Sequence, residues 1–69
     1  MKIIVKIYKL DHQDYVWKIY KTIEVFIDNI DSIKSSESKD YYRYDILSEE
    51  DVPIKTVYYL TPYLFDRLF

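Results

Sequence analysis

The side chains here with the makings of a site are nine tyrosines, one tryptophan, one histidine and eight lysines, set among short acidic runs. Nucleophilic or general-base catalysis needs a Ser or Cys activated by a positioned base, most often His. The chain has no Cys, and its single histidine, His12, lies in Asp11-His12-Gln13-Asp14, a run of turn-forming residues, so it reads as a solvated turn side chain. The absence of Gly removes the Gly-rich phosphate loops in their standard forms. Glu49, Glu50 and Asp51 offer oxygens to a hard cation, but a calcium loop needs spaced ligands and a Gly at its sharp turn. The tripeptide therefore reads as a solvated loop. The expectation is a non-enzymatic protein with no catalytic residue, no metal and no cofactor.

Binding chemistry has better material. Tyr joins a large apolar ring to a polar tip and is enriched at interaction hot spots. Tyr41, Tyr42, Tyr44, Tyr58, Tyr59 and Tyr63 are the expected partner-binding residues, with Trp17 assigned to the core. Neighbours along a strand point to opposite sides, so the pairs 41/42 and 58/59 put aromatics on both faces of any sheet they join. A second constellation is Lys6, Tyr8, Lys18 and Tyr20, which strict alternation places on one face of a hairpin, as rings flanked by cations that grip single-stranded nucleic acid. Against it stand a net charge of −2 and a pI near 5.2. Affinity for phosphates normally comes from a basic surface, so nucleic acid is not the expected partner. Mimicry of DNA by Asp40, Asp45, Glu49, Glu50 and Asp51 is diluted by the lysines.

These residues must be positioned by a small scaffold. Ile3, Val5 and Ile7 alternate with Lys2, Ile4, Lys6, Tyr8 and Leu10, which predicts a strand over 2–10. A second alternating run, Tyr15 to Tyr20, follows the 11–14 turn, and the two make a hairpin. Residues 22–36 fit both periods: Ile23, Val25 and Ile27 alternate, while Ile23, Ile27, Ile30 and Ile33 keep helical spacing. β-Branched content favours a long strand that bends near residue 28. Ser35 to Lys39 reads as a loop, Tyr41 to Ile46 as a third strand, Ser48 to Pro53 as an acidic loop and Ile54 to Leu60 as a fourth strand. Thr61-Pro62 is a helix-start signal, predicting a short C-terminal helix with Leu64, Phe65, Leu68 and Phe69 on one face. The predicted class is α+β, mainly β: a four-stranded, mostly antiparallel sheet of two hairpins with that helix, as one domain over residues 1–69.

A domain of this length buries only about 60% of the surface its unfolded chain exposes. Without disulfides or metal, the supplement left is a partner, so a homodimer is expected. Charges interrupt every apolar run, and Met1 to Lys6 lacks the pattern of a signal peptide, so the expectation is a cytoplasmic protein with no membrane segment. Ile, Tyr, Lys, Phe, Asn and Met, whose codons are AT-rich, fill 32 positions, whereas Gly, Ala, Arg and Pro fill four. That bias accounts for the number of tyrosines, though not for their placement. Together with the small size it points to a phage or mobile-element inhibitor that occludes a surface of a host defence or nucleic-acid-processing protein. The alternatives are a single-strand nucleic-acid-binding module and a small regulatory subunit of a bacterial complex.

Overall fold

The alternation at the start of the chain becomes strand β1 (Lys2–Asp11), in which Ile3, Val5 and Ile7 are wholly buried. β1 turns through residues 12–15 into β2 (Val16–Phe26), one residue later than the predicted loop. The Asp11 carboxylate accepts from the Gln13 N–H at 2.9 Å, and Tyr15 closes the turn at φ 51°. With no Gly in the chain, side-chain-bearing residues must take this left-handed conformation.

The computed structural model describes residues 1–65. Among them the strands form one antiparallel sheet in the order β2-β1-β3-β4, with β3 at Tyr42–Leu47 and β4 at Pro53–Tyr59. The mainly β, four-stranded, two-hairpin prediction is met, and β1 lies at the centre because β3 pairs with its free side. The β3–β4 loop is a tight turn: the Asp51 N–H donates to the Ser48 carbonyl at 3.0 Å, the Ser48 N–H to the Val52 carbonyl at 2.9 Å, and Asp51 adopts φ 60°.

The ambiguous stretch resolves as strand to Phe26 and irregular chain beyond it. The predicted long strand stops there because the Asn29 side-chain oxygen accepts the Asp31 N–H at 3.0 Å and starts a single 3-10 turn, Ile30–Ser32. Ile27, Ile30 and Ile33 thereby leave the sheet and fold across one of its faces. Under them lies the core: Ile3, Val5, Ile7, Val25, Tyr44, Ile46 and Val57 from the strands, with Ile33 and Phe65 from the covering segments. An open groove of about 700 Å³ remains between those segments, which leaves Ile27, Tyr59 and Leu64 only half-buried.

The predicted C-terminal helix is not supported. Thr61 does accept the Tyr63 N–H at 3.4 Å, as a cap would, but residues 60–65 form bends and a turn. The competing contacts are tertiary: the Tyr44 hydroxyl donates to the Thr61 carbonyl at 2.5 Å, the acceptor that the first intrahelical bond would use, and accepts the Leu64 N–H at 3.3 Å, tying the segment to the sheet. Leu64 and Phe65 pack on the core, and Leu68 and Phe69 lie outside the described residues.

Candidate functional site

The sheet has two unlike faces. The core face is covered by residues 27–33 and by Leu64 and Phe65, while the other, here called the outer face, carries Ile4, Lys6, Tyr8 and Leu10 from β1, Trp17, Ile19, Thr22 and Glu24 from β2, Arg43 and Asp45 from β3, and Thr56 and Tyr58 from β4. Tyr8, Trp17, Arg43 and Tyr58 are half-buried on this face and Leu10 is buried.

Its centre is a stack of rings around one cation. The Arg43 guanidinium carbon is 4.4 Å from the Tyr8 ring centroid and 5.4 Å from that of Trp17. Trp17 contacts Tyr58 at 6.1 Å between centroids, and the Lys39 ammonium sits 5.5 Å from the Tyr58 ring. Arg43 is held from below: its Nη2 donates to Asp45 Oδ2 at 3.3 Å, its Nε lies 3.2 Å from Oδ1, and Thr56 donates to that same Oδ1 at 3.1 Å. A guanidinium stacked on rings and paired with a carboxylate has few rotamers left, so the surface is ordered before any partner arrives.

The faces also differ in charge. On the outer face the strands contribute Lys2, Lys6 and Arg43 against Glu24 and Asp45, and both acids are engaged, Glu24 with Lys2 at 3.2 Å and Asp45 with Arg43. The chain's acidic excess is in loops, with exposed Asp14, Asp28, Asp31, Glu37, Asp40, Glu50 and Asp51. Overall charge therefore misdescribes this surface.

The six tyrosines predicted to bind a partner are dispersed by the fold. Tyr44 is 0% exposed and belongs to the core, because it pairs with Ile7 and Val57 across the middle of the sheet. Tyr42 and Tyr59 are half-buried on the core face, Tyr42 against Tyr20 at 6.0 Å and Tyr59 against Tyr44 at 6.1 Å. Tyr58 joins the outer-face stack, as the opposite sides of the 58/59 pair require. Tyr41 and Tyr63 are exposed, Tyr41 edge-on to the exposed ring of His12 at 6.0 Å.

The set Lys6, Tyr8, Lys18 and Tyr20 is split. A β-bulge leaves Tyr20 without a partner on β1, since Ile7 stands opposite Lys21 and Tyr8 opposite Ile19. Lys6 and Tyr8 stay on the outer face, whereas Lys18 faces the side of Lys9 and Tyr20 reaches Tyr42. Lys18 instead holds Asp11 at 2.7 Å; this bond, with the Gln13 N–H, keeps the Asp11 carboxyl below its ordinary value. Arg43, Lys39 and the outward placement of Trp17 escape a local reading, although Arg43 lies inside the Tyr41–Tyr44 run and alternation does separate it from Tyr42 and Tyr44. Among the described residues no three His, Asp or Glu side chains converge as for a metal ion. No family model, curated protein or solved structure matches this chain.

Proposed function

We propose that this chain is a non-enzymatic protein-binding protein that occludes a surface of its partner with the outer face of its sheet. The observation that carries this reading is the Tyr8–Arg43–Trp17–Tyr58 stack. Trp, Tyr and Arg are the residues over-represented at interaction hot spots, and here they adjoin one another, half-buried, on one face of the sheet. Small size and the AT-rich codon signature support the more specific role of a phage or mobile-element inhibitor of a host defence or nucleic-acid-processing protein.

A second reading, single-strand nucleic-acid binding, is favoured by one observation: Lys39 sits on the Tyr58 ring and Lys6 shares the outer face two residues along β1 from Tyr8, so bases stacked on Tyr58 and Tyr8 would have phosphates near cations. One experiment separates the two. The immobilised chain and its Trp17→Ala/Arg43→Ala variant are exposed to lysate of a low-GC bacterium, and both are titrated with a labelled oligonucleotide at low salt. Protein binding predicts a captured protein that the variant loses and whose activity the free chain inhibits. Oligonucleotide binding that weakens as salt rises, with no such capture, overturns the first reading in favour of the second.

A further inference from the structure

The two margins of the sheet are treated differently. At β4 the segment after the 3-10 turn lies alongside the strand: the Ser36 N–H donates to the Tyr58 carbonyl at 2.7 Å, the Tyr58 N–H to Ser35 Oγ at 3.0 Å, and the Lys55 ammonium to the Ile33 carbonyl at 2.6 Å. At β2 the described residues supply no such cover to eleven residues of strand. An edge of that length is a template for another strand, and its bulge and Lys18 and Lys21 restrict the registers in which a strand can join it. We infer that β2 is a self-association edge, pairing antiparallel with β2 of a second copy of this chain to make one continuous eight-stranded sheet.

The bulge selects the register. Met1 and Ile27 exchange both backbone bonds, so Val25, Ile23 and Lys21 bond toward β1 while Phe26, Glu24 and Thr22 point their N–H and C=O outward. Beyond the bulge, Leu10 gives its N–H to Tyr41 on the other side, so Trp17 opposite it, and Ile19 with it, also point outward. Outward residues must meet outward residues. A two-fold axis through the Tyr20–Lys21 peptide achieves this on both sides of the bulge at once: Ile19 meets Thr22 of the second copy, Trp17 meets Glu24, and Val16 meets Val25. Tyr15 and Phe26, both 77% exposed in the single chain, then come opposite each other at the two ends.

Charge favours the same register. It sets Tyr20 across from Lys21 of the second copy twice over, a cation-on-ring pairing, and it places no like charges opposite one another. An axis on Lys21 would oppose two ammonium groups, and one on Glu24 two carboxylates. Covering Tyr15, Val16, Ile19, Tyr20 and Phe26 in both copies removes on the order of 1,000 Å² of surface, the lower end for specific interfaces. The arrangement is isologous and closed, so it ends at two copies. It does not depend on what the outer face binds.

The test is sedimentation velocity on the full chain across the micromolar range, together with an oxidative cross-link. The expected result is a shift from the 8.5 kDa species to twice that mass with rising concentration. Thr22→Pro removes an outward N–H without touching the β1 ladder and should hold the chain at the single mass. Should that variant not fold, an Ile19→Cys/Thr22→Cys chain still decides. The two positions are about 10 Å apart along one strand, too far for an internal disulfide, yet directly opposed across the axis. A covalent dimer should form at once in this pair and scarcely at all in Ile19→Cys/Glu24→Cys. A single 8.5 kDa species throughout, as for an edge reserved for a strand of another protein, overturns the inference; so does a dimer that Thr22→Pro leaves intact or that cross-links only in the control pair.

Discussion

The Arg43 guanidinium lies over the ring of Tyr8, 4.4 Å from centroid to Cζ, and this contact ties β3 to β1 on the outer face of the sheet. Arg43→Lys keeps the charge but loses the flat stacking surface and the Nη2 hydrogen bond to Asp45. The expected cost is about 1 kcal/mol in urea denaturation, in line with a single partly solvated cation–ring contact. Because Trp17 is the sole tryptophan and shares that cation, its emission reports the same event, and acrylamide should quench it more readily in the variant.

Tyr44→Phe removes the hydroxyl that joins Thr61 and Leu64 to the central strands. Two hydrogen bonds in a half-buried setting are lost, with an expected destabilisation of about 1–3 kcal/mol. Amide exchange at Leu64 should accelerate more than exchange in β1. Equal acceleration at both would mean that the hydroxyl supports the whole fold and not the last segment.

Stability should depend on the Asp11–Lys18 pair in a defined direction. The folded carboxyl titrates below the ordinary aspartate value of 3.8, chiefly through the Lys18 hydrogen bond. A depressed folded pKa contributes stability that is present above the unfolded value and fades as pH falls through the folded one. Asp11→Asn should therefore lower the urea midpoint slightly at pH 7, approach the parent as the medium is acidified below 3.8, and show a smaller difference at high salt.

Asp51 holds φ 60° in a turn that Gly would fill without steric cost. Asp51→Gly should raise the midpoint by up to about 1 kcal/mol of stability, provided that relief exceeds the added freedom of the unfolded chain. Calorimetry of the two chains checks it, and a loss of stability would show that the Asp51 side chain itself supports the turn.

Much of the scaffold is legible locally. Ile3, Val5 and Ile7 announce a one-sided strand by period two, and the Asp-rich segment after them announces the hairpin. The site is less legible. One extra residue at Tyr20 reverses the facing of everything before it on β2, so the predicted Lys6, Tyr8, Lys18 and Tyr20 set is divided between the faces. The tyrosines of the 41–44 run look alike in sequence, yet Tyr44 is buried and Tyr41 is exposed, because only the pairing with Ile7 and Val57 puts residue 44 at the middle of the sheet.

By itself the sequence determined the elements and excluded much chemistry: alternation makes the strands, and a chain without Gly or Cys has no standard phosphate loop and no disulfide. Tertiary structure alone decided which rings stack on Arg43, that Thr61-Pro62 opens a turn bonded to Tyr44 where a helix was signalled, and that the described residues shield β4 and not β2. The reason is range. Strand period is set by each residue's own neighbours, whereas face, burial and edge depend on hydrogen bonds and contacts between residues tens of positions apart, for which a short run of sequence carries no signal.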